Sequence, residues 1–397
     1  HSLGKMICFC PTHMERLSRR VGRKVTREEV KEALLCEKFE QNVLRQSYFD
    51  EAKDNTESLF RFLADSVHKV SPETEIGIMT TTYPVVTLDK DLSLLFEENK
   101  DRKIRRIRTG MDFYREGEHN KIPLAFTMPA IQKLLIGNPE VEIQPEIEND
   151  TYGYFYKSNA VTHMQIVWCL AGGFRNCQLN LFEFFAAKPQ NYEEITDFLT
   201  AKMPFYNALA DLIPCGSPTE GVGIYVHPRA MCRNRSEEGE ILYEAAWHGY
   251  LQFMGIPYAS DYRSAKHRMI TQDDVVSATD EEIRFLLSGG AVIDLRGAEA
   301  LLHRGFGNEI GVRAISPLRG VLAGERFTDA RENGEWKNCH NSDYLMSTLV
   351  GESLVKDVTY RDGARQLSYL IDHNGQKIAN GVTLTQNDKG IQFCILP

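Results

Sequence analysis

Residues 141–153, VEIQPEIENDTYG, constrain the fold more than any other stretch of this chain. Val141, Ile143 and Ile147 fall on one face of a period-two strand, and Glu142, Gln144, Glu146 and Glu148 fall on the other. Four polar side chains on one face cannot enter an apolar core without partners, because burying unpaired charge is costly. That face is therefore wet or lines a polar pocket. A helical pattern over 160–171 and a strand pattern over 177–182 follow. Acids at the C-terminal end of a strand that feeds a helix are where a β/α barrel keeps its chemistry.

The rest of the first 213 residues repeats that alternation. Thr26-Arg27-Glu28-Glu29 is a capping box ahead of a helix carrying Val30, Ala33 and Leu34. Leu59, Leu63, Val67 and Val70 mark a second helix, followed by strands over 75–81 and 104–109 and a helix near 128–135. Asn191–Glu194 is expected to cap a long helix with Ile195, Phe198 and Leu199 on its apolar face. Strand–helix repeats of this length imply parallel strands with right-handed crossovers. About four βα units are visible, half of a (β/α)8-type barrel. The breaker cluster Pro214-Cys215-Gly216-Ser217-Pro218 suits a linker. An α/β segment over 219–312 suggests a flavodoxin-like domain, and short strands with Asn-Gly turns over 313–397 suggest a β-rich one. Gly305-Phe306-Gly307 follows a helix rather than opening one, so it reads as a helix stop and not a dinucleotide loop.

Composition narrows the function classes. A formal charge of -9 argues against a nucleic-acid binder. The basic run over 102–108 is expected as a solvated loop leading into a strand. No apolar run is long enough to span a bilayer. Nine scattered cysteines argue against a disulfide framework and favour a reducing, cytoplasmic setting. The chain opens on His1 and closes on Pro397 as a fragment would.

Two groups of residues can carry chemistry. Cys8, Cys10 and His13 place two thiols and an imidazole within six residues, a donor set for a structural zinc that lacks its fourth ligand. Glu146 and Glu148 are the carboxylates available for acid/base or nucleophilic work. Retaining glycoside hydrolysis needs carboxylates on both sides of the bond, about 5–5.5 Å apart. Two acids on one strand cannot straddle a sugar, so the partner must come from another strand. Tyr83, Arg108, Asn149, Asn180 and Phe182 stand near strand ends as candidate sugar contacts, rings for apolar sugar faces and Asn or Arg for hydroxyls.

Taken together these features resemble glycoside hydrolase family 42, the β-galactosidase type. Cys8-Phe9-Cys10-Pro11-Thr12-His13 is similar to that family's zinc-binding cysteine knuckle, with His13 where a third Cys is usual. Glu146-Ile147-Glu148-Asn149 resembles the end of the seventh barrel strand, and residues 289–294 and 298–311 resemble the flavodoxin-like trimerisation domain. The resemblance implies a retaining exo-glycosidase acting on terminal sugars of oligosaccharides. Either acid could be the nucleophile, and Glu148 aligns best. The acid/base residue would lie before His1, leaving the fragment inactive, and the oligomer would be a trimer. The competing expectations are a non-catalytic carbohydrate-binding or assembly protein on the same fold, and a metal-dependent hydrolase using Cys8, Cys10 and His13.

Overall fold

The computed structural model describes residues 8–35, 43–80, 104–111, 113–117, 141–149, 156–182, 188–214, 220–225, 255–259, 262–318, 320–341 and 356–396, with Ile122, Ala125, Pro129, Ala130, Gln132, Lys133, Ser217 and Leu251 between them. The chain divides into two compact units, His1–Glu220 with Val226–Asp261, and Gly221–Tyr225 with Tyr262–Pro397. The second unit takes in both the 219–312 and the 313–397 segments apart from 219–220 and 226–261. The helix expected near 128–135 falls largely outside the described residues.

In the first unit, helices α1 (Pro11–Val21), α2 (Arg27–Leu35) and α3 (Val43–His68) precede a parallel sheet. The capping box at the start of α2 forms as its sequence implies. The Thr26 N–H donates to Glu29 Oε2 (2.7 Å) and the Glu29 N–H to Thr26 Oγ1 (3.1 Å). Strands β1 (Ile76–Thr80), β2 (Ile104–Thr109), β3 (Glu142–Glu148) and β4 (Gln178–Asn180) lie in sequence order, each parallel to the next. Sequential order with parallel pairing is what consecutive βα units of a barrel produce. Helix α4 (Asn159–Ala171) connects β3 to β4, and α5 (Glu193–Leu212) follows β4. Here the capping expectation is corrected. A 3-10 turn, Pro189–Tyr192, leads into α5, and no side chain caps it.

The apolar faces meet the helices. Ile78, Ile107, Ile143 and Ile147 pack in one cluster with Ile166, Cys169 and Leu170 of α4 and Ile195 and Tyr206 of α5. The sheet's other face carries the polar side chains, so the alternation in β3 separates the two environments as its sequence implies. Pro145 sits at a handover within this strand. Pairing with β2 ends at Thr109 opposite Pro145, and pairing with β4 begins at Gln178 opposite Glu146. A proline has no N–H for a ladder bond, and it stands where β4 has not yet begun to pair.

One helix departs from expectation. Leu59, Phe62, Leu63, Val67 and Val70 form a stripe along α3 and the turn after it, yet all are exposed, Phe62 by 67% and Val70 by 87%.

In the second unit, strand Gly290–Ile293 lies between His267–Ile270 and Gln392–Ile395, parallel to both, and Val222–Ile224 extends the parallel set. Residues after Val312 thus complete the same sheet rather than standing apart, with Thr383–Gln386 antiparallel to Gln392–Ile395. A separate antiparallel sheet orders His340–Asn341, Gly324–Phe327, Ser368–Ile371 and Lys377–Asn380. Gly305 stops the helix Leu295–His303 in the left-handed region (φ 86°), and the Phe306 N–H returns to the Leu301 carbonyl at 2.8 Å.

Candidate active site

The polar face of the first unit's sheet is a ladder of charge-assisted pairs. At its lower end Arg106 Nε lies 3.1 Å from Glu142, whose carboxyl is held below its usual range chiefly by a hydrogen bond from Gln144. Gln178 Nε2 donates to Gln144 Oε1 at 2.8 Å. The basic run expected as a solvated loop is instead mostly β2. Period two sends Arg106 and Arg108 to the acid-bearing face.

At the upper end stand the two candidate acids. Glu146 is 9% exposed and is held by Arg108 Nη1 on Oε1 and by the Tyr114 hydroxyl, which donates to Oε2 at 3.2 Å. Burial pushes its carboxyl pKa up, Arg108 opposes that shift, and the Glu148 charge adds to it. Glu148 stands two residues on, at the strand's end, where Asn180 Nδ2 donates to Oε1 at 2.8 Å. The structure thus brings together Glu146, Glu148, Arg108 and Asn180 from three adjacent strands. Phe182 follows β4 half-exposed, its ring 4.9 Å from that of Tyr192.

Asn149 takes a different place. Its N–H donates to the Asn180 carbonyl (3.0 Å), continuing the ladder, and strand alternation puts its buried side chain on the Ile147 side. Tyr83 lies outside the described residues, as do Asp150 and Thr151.

Sequence reasoning missed three residues that complete this end of the sheet. Tyr114, in the loop after β2, reaches Glu146. Lys157, 4% exposed, donates to the Glu148 carbonyl and to Gln165 Oε1, both at 2.8 Å. Gln165, fully buried on α4, donates onward to the Phe113 carbonyl at 3.4 Å. The available signal was a lone Lys ahead of the Ser158 N-cap and a lone Gln in the apolar run QIVWCLA.

Cys8, Cys10 and His13 gather at the N-terminus of α1 with their ligand atoms within 4.8 Å of one another. Cys10 Sγ lies 2.9 Å from His13 Nδ1. Hydrogen bonds from His13, the backbone one foremost, lower the Cys10 thiol to about 7. Two thiols and an imidazole that converge in this way fit a zinc ion's ligand preferences.

No protein-family model matches the sequence, and neither does any curated protein. Solved structures do match, and they define the class of fold: an α/β architecture found in β-galactosidases. The chain is similar over 98% of its length to the β-galactosidase of the psychrophilic Marinomonas ef1, at 11% identity and a TM-score of 0.56. It is likewise similar over 98% to the polyextremophilic β-galactosidase of the Antarctic haloarchaeon Halorubrum lacusprofundi, at 10% identity and a TM-score of 0.58. It spans 66% and 64% of those two chains. At such identities the likeness is one of fold.

Proposed function

We propose that this chain forms part of a retaining exo-glycosidase of the β-galactosidase type, related to family 42, and supplies its nucleophile. The observation that carries the reading is the placement of Glu148. It ends the third of four sequential parallel strands, on the polar face, and Asn180 fixes it from the neighbouring strand. In this reading a Glu148 carboxylate oxygen attacks the anomeric carbon as the bond to the leaving oxygen breaks, forming a glycosyl-enzyme. Glu146, clamped by Arg108 and Tyr114, orients Arg108 on the polar face beside it. The second carboxylic acid, which protonates the leaving group and then activates water, comes from outside this chain's polar face. Phe182 offers its ring to the apolar face of a sugar.

The exposed stripe on α3 supports the same reading. Helices flanking a complete barrel are covered by their neighbours, whereas the first helix of a half-barrel has one flank open. On the other flank of the sheet, α5 likewise exposes Met203, Phe205 and Leu212. Cys8, Cys10 and His13 would hold a structural zinc with a fourth ligand from elsewhere, tying the chain ahead of α1 to this unit and taking no part in bond cleavage.

The test is the full-length gene product against a panel of nitrophenyl glycosides. Activity on a β-glycoside that falls roughly 10³-fold or more in Glu148→Gln supports the assignment. Undiminished activity in that variant transfers the role to Glu146 if Glu146→Gln is inactive, and ends the reading if both variants remain active. Sugar binding without turnover would favour a carbohydrate-binding protein on the same fold.

A further inference from the structure

Lys157 is a buried ammonium beside the proposed nucleophile, and the mechanism above gives it no task. Its seat is well defined. The Glu116 N–H donates to the Tyr156 carbonyl (2.7 Å), and the Ser158 N–H donates to Glu116 Oε2 (2.8 Å), strapping both neighbours of Lys157 to the loop after β2. Its Nζ then reaches the Glu148 carbonyl and Gln165. That carbonyl lies beyond the end of the β2–β3 pairing, which stops at Thr109 opposite Pro145.

A neutral donor would satisfy a carbonyl at far lower desolvation cost than an ammonium. What an ammonium adds is charge, and that charge acts on Glu148, the last acid of the strand. The carboxylate whose charge acts on it is Glu148 on β3, while on the loop after β2 Glu116 holds the adjoining Ser158 N–H and Arg115 lies over the ring of the adjoining Tyr156. Its contact on α4 is the neutral Gln165, and that helix has no acid in its first turn.

We propose that Lys157 is a positioning residue for Glu148, and that its positive charge, beyond its hydrogen bonds, is what keeps the Glu148 carboxylate in working order. The inference rests on the glycosidase reading. Burial lowers the Lys157 pKa from 10.5 to about 7, with Glu148 opposing the shift, so the charge is lost as pH rises through neutrality. Without it, Glu148 faces the repulsion of Glu146 with one cation fewer. Stability runs the other way. Between about 7 and 10.5 the unfolded chain holds a proton that the folded chain has released, so the fold gains stability with rising pH across that window.

The experiment uses 2,4-dinitrophenyl 2-deoxy-2-fluoro-β-galactoside and the full-length gene product. Dinitrophenolate leaves with the bonding electrons and needs no protonation, so the labelling rate reports the nucleophile without the acid catalyst. The expected wild-type rate falls about tenfold between about pH 6 and 8 while thermal stability rises. Lys157→Arg, charged throughout, labels without that fall. Lys157→Gln labels slowly at every pH, by about 10- to 100-fold. Gln165→Glu, which gives the ammonium a counter-charge, moves the fall to higher pH, and it keeps the test open if Lys157→Gln does not fold. A wild-type rate and pH slope in Lys157→Gln, or an unchanged midpoint in Gln165→Glu, overturns the proposal. Glu148→Gln separates the two readings, because labelling of that variant at the wild-type rate defeats the nucleophile assignment itself.

Discussion

The two units both build parallel strands at the centre of a sheet, yet they dispose of apolar surface differently. In the second, Ile293, Ala298, Ala300, Leu301 and Phe393 are buried on strand and helix alike, and the large exposed apolar side chains among its described residues are only Phe285, Val321 and Trp336. In the first, an equally tight cluster around Ile107 and Ile147 coexists with open stripes on α3 and α5. Both satisfy their strand patterns, but only the second also satisfies its helix patterns. A contiguous apolar stripe left uncovered on a helix marks an interaction surface, because such patches are uncommon on soluble folds.

Four measurements sharpen or break that contrast. The largest effect is expected in the cores, where the units should behave alike. Ile147→Ala and Ile293→Ala, both at fully buried positions, should each cost about 2–5 kcal/mol in denaturant unfolding. A much smaller loss at Ile147 would mean that the first unit's core is loosely held. Next is the polar face of the first unit's sheet. Arg108→Met leaves Glu146 without its cation and should cost about 2 kcal/mol, below the range for fully buried pairs because both side chains keep some solvent contact. Third, Thr279→Ala removes a capping box from the second unit and should lower its stability by about 1 kcal/mol, read as a shifted unfolding midpoint. Smallest is the stripe itself. Phe62→Ser in this chain alone should change stability by no more than about 0.5 kcal/mol. The same substitution in the full-length gene product should cost about 3 kcal/mol if another element covers the stripe, and equal small effects in both would remove this support for the half-barrel.

What could be read in the sequence follows the range of each signal. Local ones were legible. Period two in β3 separated Ile143 and Ile147 from the acids, Thr26 and Glu29 announced a capping box, and Gly305 announced a helix stop. Pairing between distant segments was not. Arg108 carries no mark that it meets Glu146 across a ladder, and within a basic run it looked solvated. Tyr114 and Lys157 reach the site from loops, whose geometry has no periodicity to betray it. The return of the chain's end to an earlier sheet was hidden for a similar reason. Gln392–Ile395 joins a sheet whose other parallel strands lie a hundred or more residues earlier, and no local pattern records that return.

Pro145 carries a consequence for folding fidelity. In a strand with period-two chemistry, a slip of one residue exchanges the faces completely. Here that error would drive Glu146 and Glu148 in among Ile166 and Leu170, and turn Ile143 and Ile147 toward Arg106 and Arg108. A proline offers no N–H to a mispaired neighbour, so it is tolerated at the handover from β2 to β4 and penalised when displaced along the strand. It acts as a proofreading mark, set one residue before the first of the two acids whose orientation depends on it.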